Sequence, residues 1–245
     1  MLIINADDWG RDRITTDRTL ECVQAGRVTS VSAMVFMEDS ERAAALAREH
    51  DVDAGLHLNL TTAFTGAGAD ASLAKDLKRV SSFLRASSLA RLLFHPALTT
   101  AFRRLAEAQV AEFRRLYGRA PARIDGHHHA HLCTNVLVQG LLGDTAIVRR
   151  NFTFERGEKS WFNRAYRGWV DRRLARRHRV TDYLFSILPL EDTARLERII
   201  QLARTANVEL ETHPVEDAER TLLLSDAFRA RLGDVRIARY AQLVS

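Results

Sequence analysis

Four short, apolar, β-favouring runs in this chain each lead into aspartate or histidine. "LIINA" (2–6) is followed by Asp7 and Asp8, and "DAGLHLNL" (53–60) carries His57. "ARIDG" (122–126) opens onto "HHHAH", and "VELETH" (208–213) ends in His213. Helix-like stretches separate these runs, and strands that alternate with helices predict a parallel α/β fold. In a barrel of parallel strands every carboxyl end lies on one face, where active sites form. A distorted TIM-like (β/α) barrel therefore brings four sequence-distant polar clusters together with no further assumption.

The remaining pattern fits that frame. Residues 17–26 read as a helix closed by Gly26, and 28–36 as a strand. Asp39 or Ser40 caps a helix running to about His50, and 73–118 is helical with a break near Pro96. Further on, 131–142 reads as a helix and 146–150 as a strand. Residues 182–188 read as a strand or as the end of an insertion, 192–206 as an amphipathic helix, and 225–243 as mostly helical. No repeat or Pro/Gly-rich linker divides the chain, so residues 1–245 are expected to form one domain, with an insertion or lid at about 151–180.

Composition narrows the class. The hydrophobic share of 46% is that of a globular protein. No run approaches the roughly 18 apolar residues that span a bilayer, and carboxylates interrupt the apolar start, so a cytoplasmic location is expected. Cys22 and Cys133 form no paired spacing and read as small buried thiols. The net charge of +5 invites a nucleic-acid reading. However, arginines in runs such as "AFRRLAEAQVAEFRRL" (101–116) interleave with glutamates at helical spacing, the mark of a solvated face, so no specific nucleic-acid partner is expected. The arginine-rich "YRGWVDRRLARRHRV" (166–180), with Tyr166 and Trp169, is denser and suits a solvated helix, a phosphate or an anionic membrane surface.

The polar clusters carry the chemistry. One adjacent aspartate could cap a helix, but two repel and call for a cation or a shared proton. Four imidazoles within 127–131 gain nothing from packing together in a core. One aspartate and two histidines on three strand ends match an open three-ligand site for a divalent ion. The second aspartate would then take a proton from an ion-activated water, and a further histidine would protonate the leaving group. That is hydrolytic equipment. There is no Gly-rich phosphate loop and no G-x-S-x-G elbow.

"NADDWG", "GLHLNLT" (55–61), "DGHHHAH" (125–131) and "ETHP" (211–214), in that order, resemble the YdjC-like carbohydrate deacetylases, which include chitooligosaccharide deacetylases and a hopanoid-associated branch. The resemblance implies the distorted barrel and a divalent-ion-dependent (Mg2+ or Zn2+) removal of acetyl from an N-acetylated sugar. It assigns Asp8, His57 and His127 to the ion, Asp7 to the base, and His213 to acid or transition-state work, with Glu209 on the same strand. His128, His129 and His131 would orient ligands, touch substrate or pack. A homodimer is a family-level expectation.

The chain departs from the family after the aspartate pair, where "WGRDRITTDRTL" holds Arg11, Asp12 and Asp17. Arg149 and Arg150 follow a strand and could meet a substrate carboxylate or phosphate. With the basic 166–180 segment they suggest a nucleotide- or lipid-linked sugar and peripheral membrane contact. Three other readings compete: a metal-dependent phosphoesterase acting on a sugar phosphate, a non-haem iron oxygenase, and a polyanion-binding module.

Overall fold

The computed structural model describes residues 1–87, 89–154 and 157–243. Seven parallel strands lie in the order β5-β4-β3-β2-β1-β7-β6. They are β1 (Leu2–Trp9), β2 (Ser30–Ala33), β3 (Asp53–Leu58), β4 (Arg123–Gly126), β5 (Ile147–Val148), β6 (Tyr183–Ser186) and β7 (Val208–Thr212). The sheet curls until its edges approach. The Val148 N–H donates to Arg179 O, and the Thr153 N–H donates to Leu184 O on β6. The result is a distorted TIM-like barrel, as the strand-end pattern implies.

Helices α1 (Arg13–Gln24), α2 (Ser40–Glu49), α3 (Ala71–Ala86), α4 (Thr99–Tyr117), α5 (Thr134–Gln139), α6 (Trp161–Leu174), α7 (Thr193–Leu202), α8 (Asp217–Leu224) and α9 (Asp226–Leu232) complete the chain. Several begin where a short acid can accept from a free backbone N–H: Asp12 from Thr15, Asp70 from Leu73 and Asp192 from Arg195. Gly118, at φ 69°, ends α4 in the left-handed conformation that costs other residues a clash. No helix among the described residues is long and apolar enough to cross a membrane. Both cysteines are buried and free, and burial raises the Cys133 thiol to about 11.

Alternation along the strands sorts two environments. Leu2, Ile4 and Ala6 of β1, Val31 of β2, Leu56 and Leu58 of β3 and Leu210 of β7 join the apolar core with helix residues such as Phe102 and Leu105. The opposite set fills the barrel and is polar: Asn5, Asp7, Ser32, His57, Arg123, Asp125, Arg149, Glu209 and Glu211 are all buried. Tyr240 closes the bottom, packed with Ile3 and Ile147 and lying 4.3 Å under the Arg123 guanidinium.

Gly55 makes room for that arginine, because a Cβ there would lie 2.8 Å from its guanidinium carbon. Gly55→Ala is therefore expected to destabilise the fold by about 1–3 kcal/mol through overpacking. Unchanged thermal unfolding of that variant would show that Arg123 can move aside freely.

Some boundaries differ from the sequence reading. The aspartate pair lies within β1, not in a turn after it. The helix expected over 131–142 is a 3-10 turn (His127–Leu132) followed by α5, which stops at Gly140 with φ 66°. The strand expected over 28–36 pairs only at Ser30–Ala33. Residues 182–188 contribute a barrel strand, and the segment expected as a lid carries α6. Residues 155 and 156 of that segment, residue 88 of the stretch 73–118, and residues 244 and 245 lie outside the described residues.

Candidate metal centre

Adjacent residues of a strand normally point to opposite faces, yet Asp7 and Asp8 both face the barrel's carboxyl end. A bulge allows it. Ala6 pairs with Val31 and Trp9 with Ala33, so β1 spends one more residue than β2 over the same span. Asp8 absorbs the extra residue at φ 66°, a region non-glycine residues seldom adopt and one that gathers at functional sites. His128 and His129 also sit there, at φ 55° and 54°, so the chain folds back tightly after β4 and displays successive imidazoles. Gly126 permits the fold-back, since a Cβ would lie 2.9 Å from the His131 backbone nitrogen.

Asp8, His57 and His127 converge. Asp8 Oδ1 lies 3.3 Å from His57 Nε2 and 2.9 Å from His127 Nδ1. Arg11 holds the other Asp8 oxygen at 2.7 Å, while Oδ1, although buried, makes no hydrogen bond of acceptable geometry. Burial opposes the Asp8 charge, but the two imidazoles hold its carboxyl well below the usual range.

His57 is oriented from behind by Asp125, whose Oδ1 lies 2.6 Å from Nδ1. With the Nδ1 proton directed at Asp125, Nε2 faces Asp8 and offers a lone pair to a cation once its own proton leaves. Despite burial, Asp7, Asp125 and Asp8 together push His57 up to about 10. His127 Nε2 is 3.1 Å from Thr62 Oγ1, which leaves Nδ1 for the same point.

A buried carboxylate oxygen facing two imidazole nitrogens is a donor set of the kind that holds a cation, and these three residues fit a divalent ion. Two other acid and histidine groups fit less well. In Asp7–His57–Asp125, both Asp7 oxygens are taken by Arg149, and Asp125 is taken by His57, Arg123 and Ser32. In Asp7–Glu211–His213, the same arginine occupies Asp7.

Arg149 organises the barrel interior. Its Nη1 and Nη2 donate to the two oxygens of Asp7 at 2.7 Å each, and its Nε donates to Glu209 at 2.7 Å. Glu211 and Asp125 lie 3.5 and 3.6 Å away. Burial works against the Asp7 charge, but Arg149, with help from His57, lowers it to about 2. Burial and the Asp7 charge drive Glu211 the other way, well above the usual range.

The remaining expected residues divide by position. Asp7, His128, His129 and His213 line the cleft with the three donors, Arg11 and Glu211; its volume is about 560 Å³. His213 is one-third exposed, 3.8 Å from Glu211, and its backbone N–H donates to Glu219 at 2.6 Å. His128 stacks on His127 with 4.0 Å between rings, and burial with the neighbouring His127 lowers it to about 4. His131 and Glu209 do not reach the cleft. His131 is fully buried with Nε2 3.0 Å from the Arg149 carbonyl, and Glu209 lies under Arg149. Arg149 points inward at carboxylates, and Arg150 bonds Asp171 on α6.

Asp125, Glu211 and Arg123 escaped the sequence reading, although each precedes a flagged or inward residue by two positions on a strand. That spacing is the signal that would have found them. Imidazole ligands held by a carboxylate typically lose 10- to 100-fold in metal affinity when that support goes. Asp125→Asn should weaken a divalent ion here by about that factor, measured by competition with a chelator. Undiminished affinity would mean that His57 needs no such support.

A family model described as YdjC-like protein matches residues 1–242. Among curated relatives, a carbohydrate deacetylase of Mus musculus is 36% identical over 141 residues, covering 55% of this chain and 44% of that protein. A chitooligosaccharide deacetylase of Serratia marcescens is 35% identical over 137 residues, covering 54% and 51%. The chain spans about half the length of the curated relatives it matches. A crystal structure of a protein from Enterococcus faecalis V583 superposes with a TM-score of 0.67 at 20% identity, covering 99% of this chain and 98% of that one, a likeness of fold alone.

Proposed function

Since the chain belongs to the YdjC-like family, we propose that it is a hydrolase removing the acetyl group from an N-acetylated sugar at a single divalent-ion centre formed by Asp8, His57 and His127. The sugar is of the N-acetylglucosamine type, as an oligosaccharide, glycolipid or sugar nucleotide. The observation that carries this reading is the unsatisfied Asp8 Oδ1 between two imidazole nitrogens, at the floor of an open cleft. The deacetylase names of the relatives supply the reaction class. Of the two ions expected, Zn2+ suits a two-imidazole, one-carboxylate set better than Mg2+, which prefers oxygen.

A divalent ion bound there supplies a Lewis acid for the acetyl carbonyl and lowers the pKa of a water from about 15.7 toward 7. Asp7 takes the proton of the attacking water. Arg149 keeps that carboxylate charged and fixes its direction through both oxygens. His213, within 4.8 Å of Asp7 and Glu211, returns a proton to the departing sugar amine, with Glu211, 3.8 Å away, as the neighbouring reservoir. Two neighbouring groups whose surroundings push them apart, Asp7 down and Glu211 up, fit the base and the proton reservoir.

A two-ion phosphoesterase would need Asp7 free to bridge, and Arg149 occupies it. Acetate release from free, nucleotide-linked and lipid-linked N-acetyl sugars, with chelator and then with added Zn2+ or Mg2+, tests the proposal. Release of phosphate but never acetate by the ion-loaded protein would overturn it. Asp7→Asn should retain the ion and lose about 10²- to 10⁴-fold in turnover, the usual contribution of a general base. Full activity in that variant would move the base elsewhere.

A further inference from the structure

Helix α6 carries a solvent face of unusual make-up. Trp161, Phe162 and Trp169 are 63%, 69% and 54% exposed, whereas Val170, Asp171 and Leu174 on the opposite side are buried. At 100° per residue the exposed aromatics share their side of the helix with Arg172 and Arg173, and Arg176 follows in the turn just past Leu174. Trp161 and Phe162 thus stand at the amino end of the face, and Trp169 lies beside the arginines toward its carboxyl end. Trp169, Arg172, Arg173 and Arg176 together enclose a small surface hollow. Among the described residues no carboxylate pairs with these three arginines.

The aromatic end stands beside the cleft. Arg167 of α6 lies 5.0 Å over the Phe154 ring, Phe154 neighbours Phe152, and Phe152 meets the His129 ring edge-on at 4.5 Å. A second apolar element flanks the same mouth. Leu92, Leu93 and Phe94 are 46%, 59% and 41% exposed, and the adjoining Arg91 donates to the His128 carbonyl at 2.7 Å. Large apolar side chains grouped on a surface mark an interaction site rather than ordinary exposure.

We infer that the aromatic and arginine face of α6, with the Leu92–Phe94 loop, docks this protein on an anionic lipid bilayer with the mouth of the cleft toward the membrane. Charge selects the occupant. Tryptophan and phenylalanine settle at the headgroup level, and arginines on the same face meet lipid phosphates. Trp161 and Phe162 set the amino end of the helix deepest, and the chain's net charge of +5 has the matching sign. This inference goes beyond the hydrolase reading and does not depend on it.

The test uses the whole chain with vesicles of phosphatidylcholine alone or mixed with phosphatidylglycerol. Sedimentation with the anionic vesicles only, weakened by salt, is expected. Trp9 is buried, so a blue shift of tryptophan emission on binding reports Trp161 and Trp169. Replacing both by serine should abolish that shift and lower binding at least tenfold. Arg172→Gln, Arg173→Gln and Arg176→Gln together should lower it roughly 100-fold, at about 1 kcal/mol for each arginine near an anionic surface. Acetate release from a small soluble sugar should be unchanged in both variants, which separates this result from failure of the hydrolase reading. Absence of binding to anionic vesicles, or equal binding by wild type and variants, would overturn the inference. So would a dimer, seen by light scattering, that the serine substitutions dissolve while vesicles remain unbound.

Discussion

Asp8→Asn is expected to leave the protein folded, without a bound divalent ion, and with acetate release reduced by at least about 10³-fold. Three donors converge on one point, and only Asp8 among them brings negative charge. An amide in its place keeps the shape and the Arg11 contact but removes the charge that offsets an ion's desolvation. Losing one preorganised electrostatic contact at a reacting oxygen costs about 10²- to 10³-fold, and losing the whole centre costs more. Elemental analysis of the purified variant beside wild type measures the ion directly. A variant that held as much ion as wild type would show that Asp8 is not a ligand, whatever its activity. This differs from Asp7→Asn, where ion content should persist and turnover alone should fall.

Arg149→Met should lower stability by about 3–5 kcal/mol, the usual consequence of removing one partner from a buried charge cluster. For a chain of this length that corresponds to a fall in Tm of roughly 6–20 °C. Arg149 is the cation that lies against Asp7, Glu209, Glu211 and Asp125 together, all buried, and methionine fills similar space without neutralising any of them.

The pH dependence follows from Asp7. Its folded pKa of about 2 lies below the ordinary 3.8, so the stability it contributes is fully present above about pH 3.8 and is lost as pH falls toward 2. Arg149→Met removes most of that depression, so the gap between wild type and variant should narrow on acidification. Thermal unfolding at neutral and acid pH measures both. Equal Tm values at neutral pH would mean that the interior carboxylates do not need this cation.

The parallel fold was readable because short β-favouring runs alternate with helix-patterned stretches long enough to cross back over the sheet. The donor set was readable for a different reason. Two adjacent aspartates, or four histidines in five positions, are costly unless something binds between them, so local chemistry marked the two runs, and the family resemblance singled out Asp8 and His127 within them. His57 needed its place near a strand end, since one histidine among leucines is otherwise unremarkable.

Chain order could not show what each strand meets across the barrel. Arg123, Asp125 and His127 stand two apart, as do Glu209, Glu211 and His213, so local alternation put them on one face without telling whether that face looked to solvent or inward. Curling of the sheet decided it. The curl turned Arg149, which from sequence could meet a substrate anion or support the site, toward Asp7, and set Asp125 behind His57. The bulge in β1 likewise depends on pairing with β2, and it alone allows neighbouring carboxylates to serve one cleft. Local chemistry thus determined which residues could hold an ion. Closure of the barrel decided which charges each would face, because electrostatic partners are fixed by distance in space and not by separation along the chain.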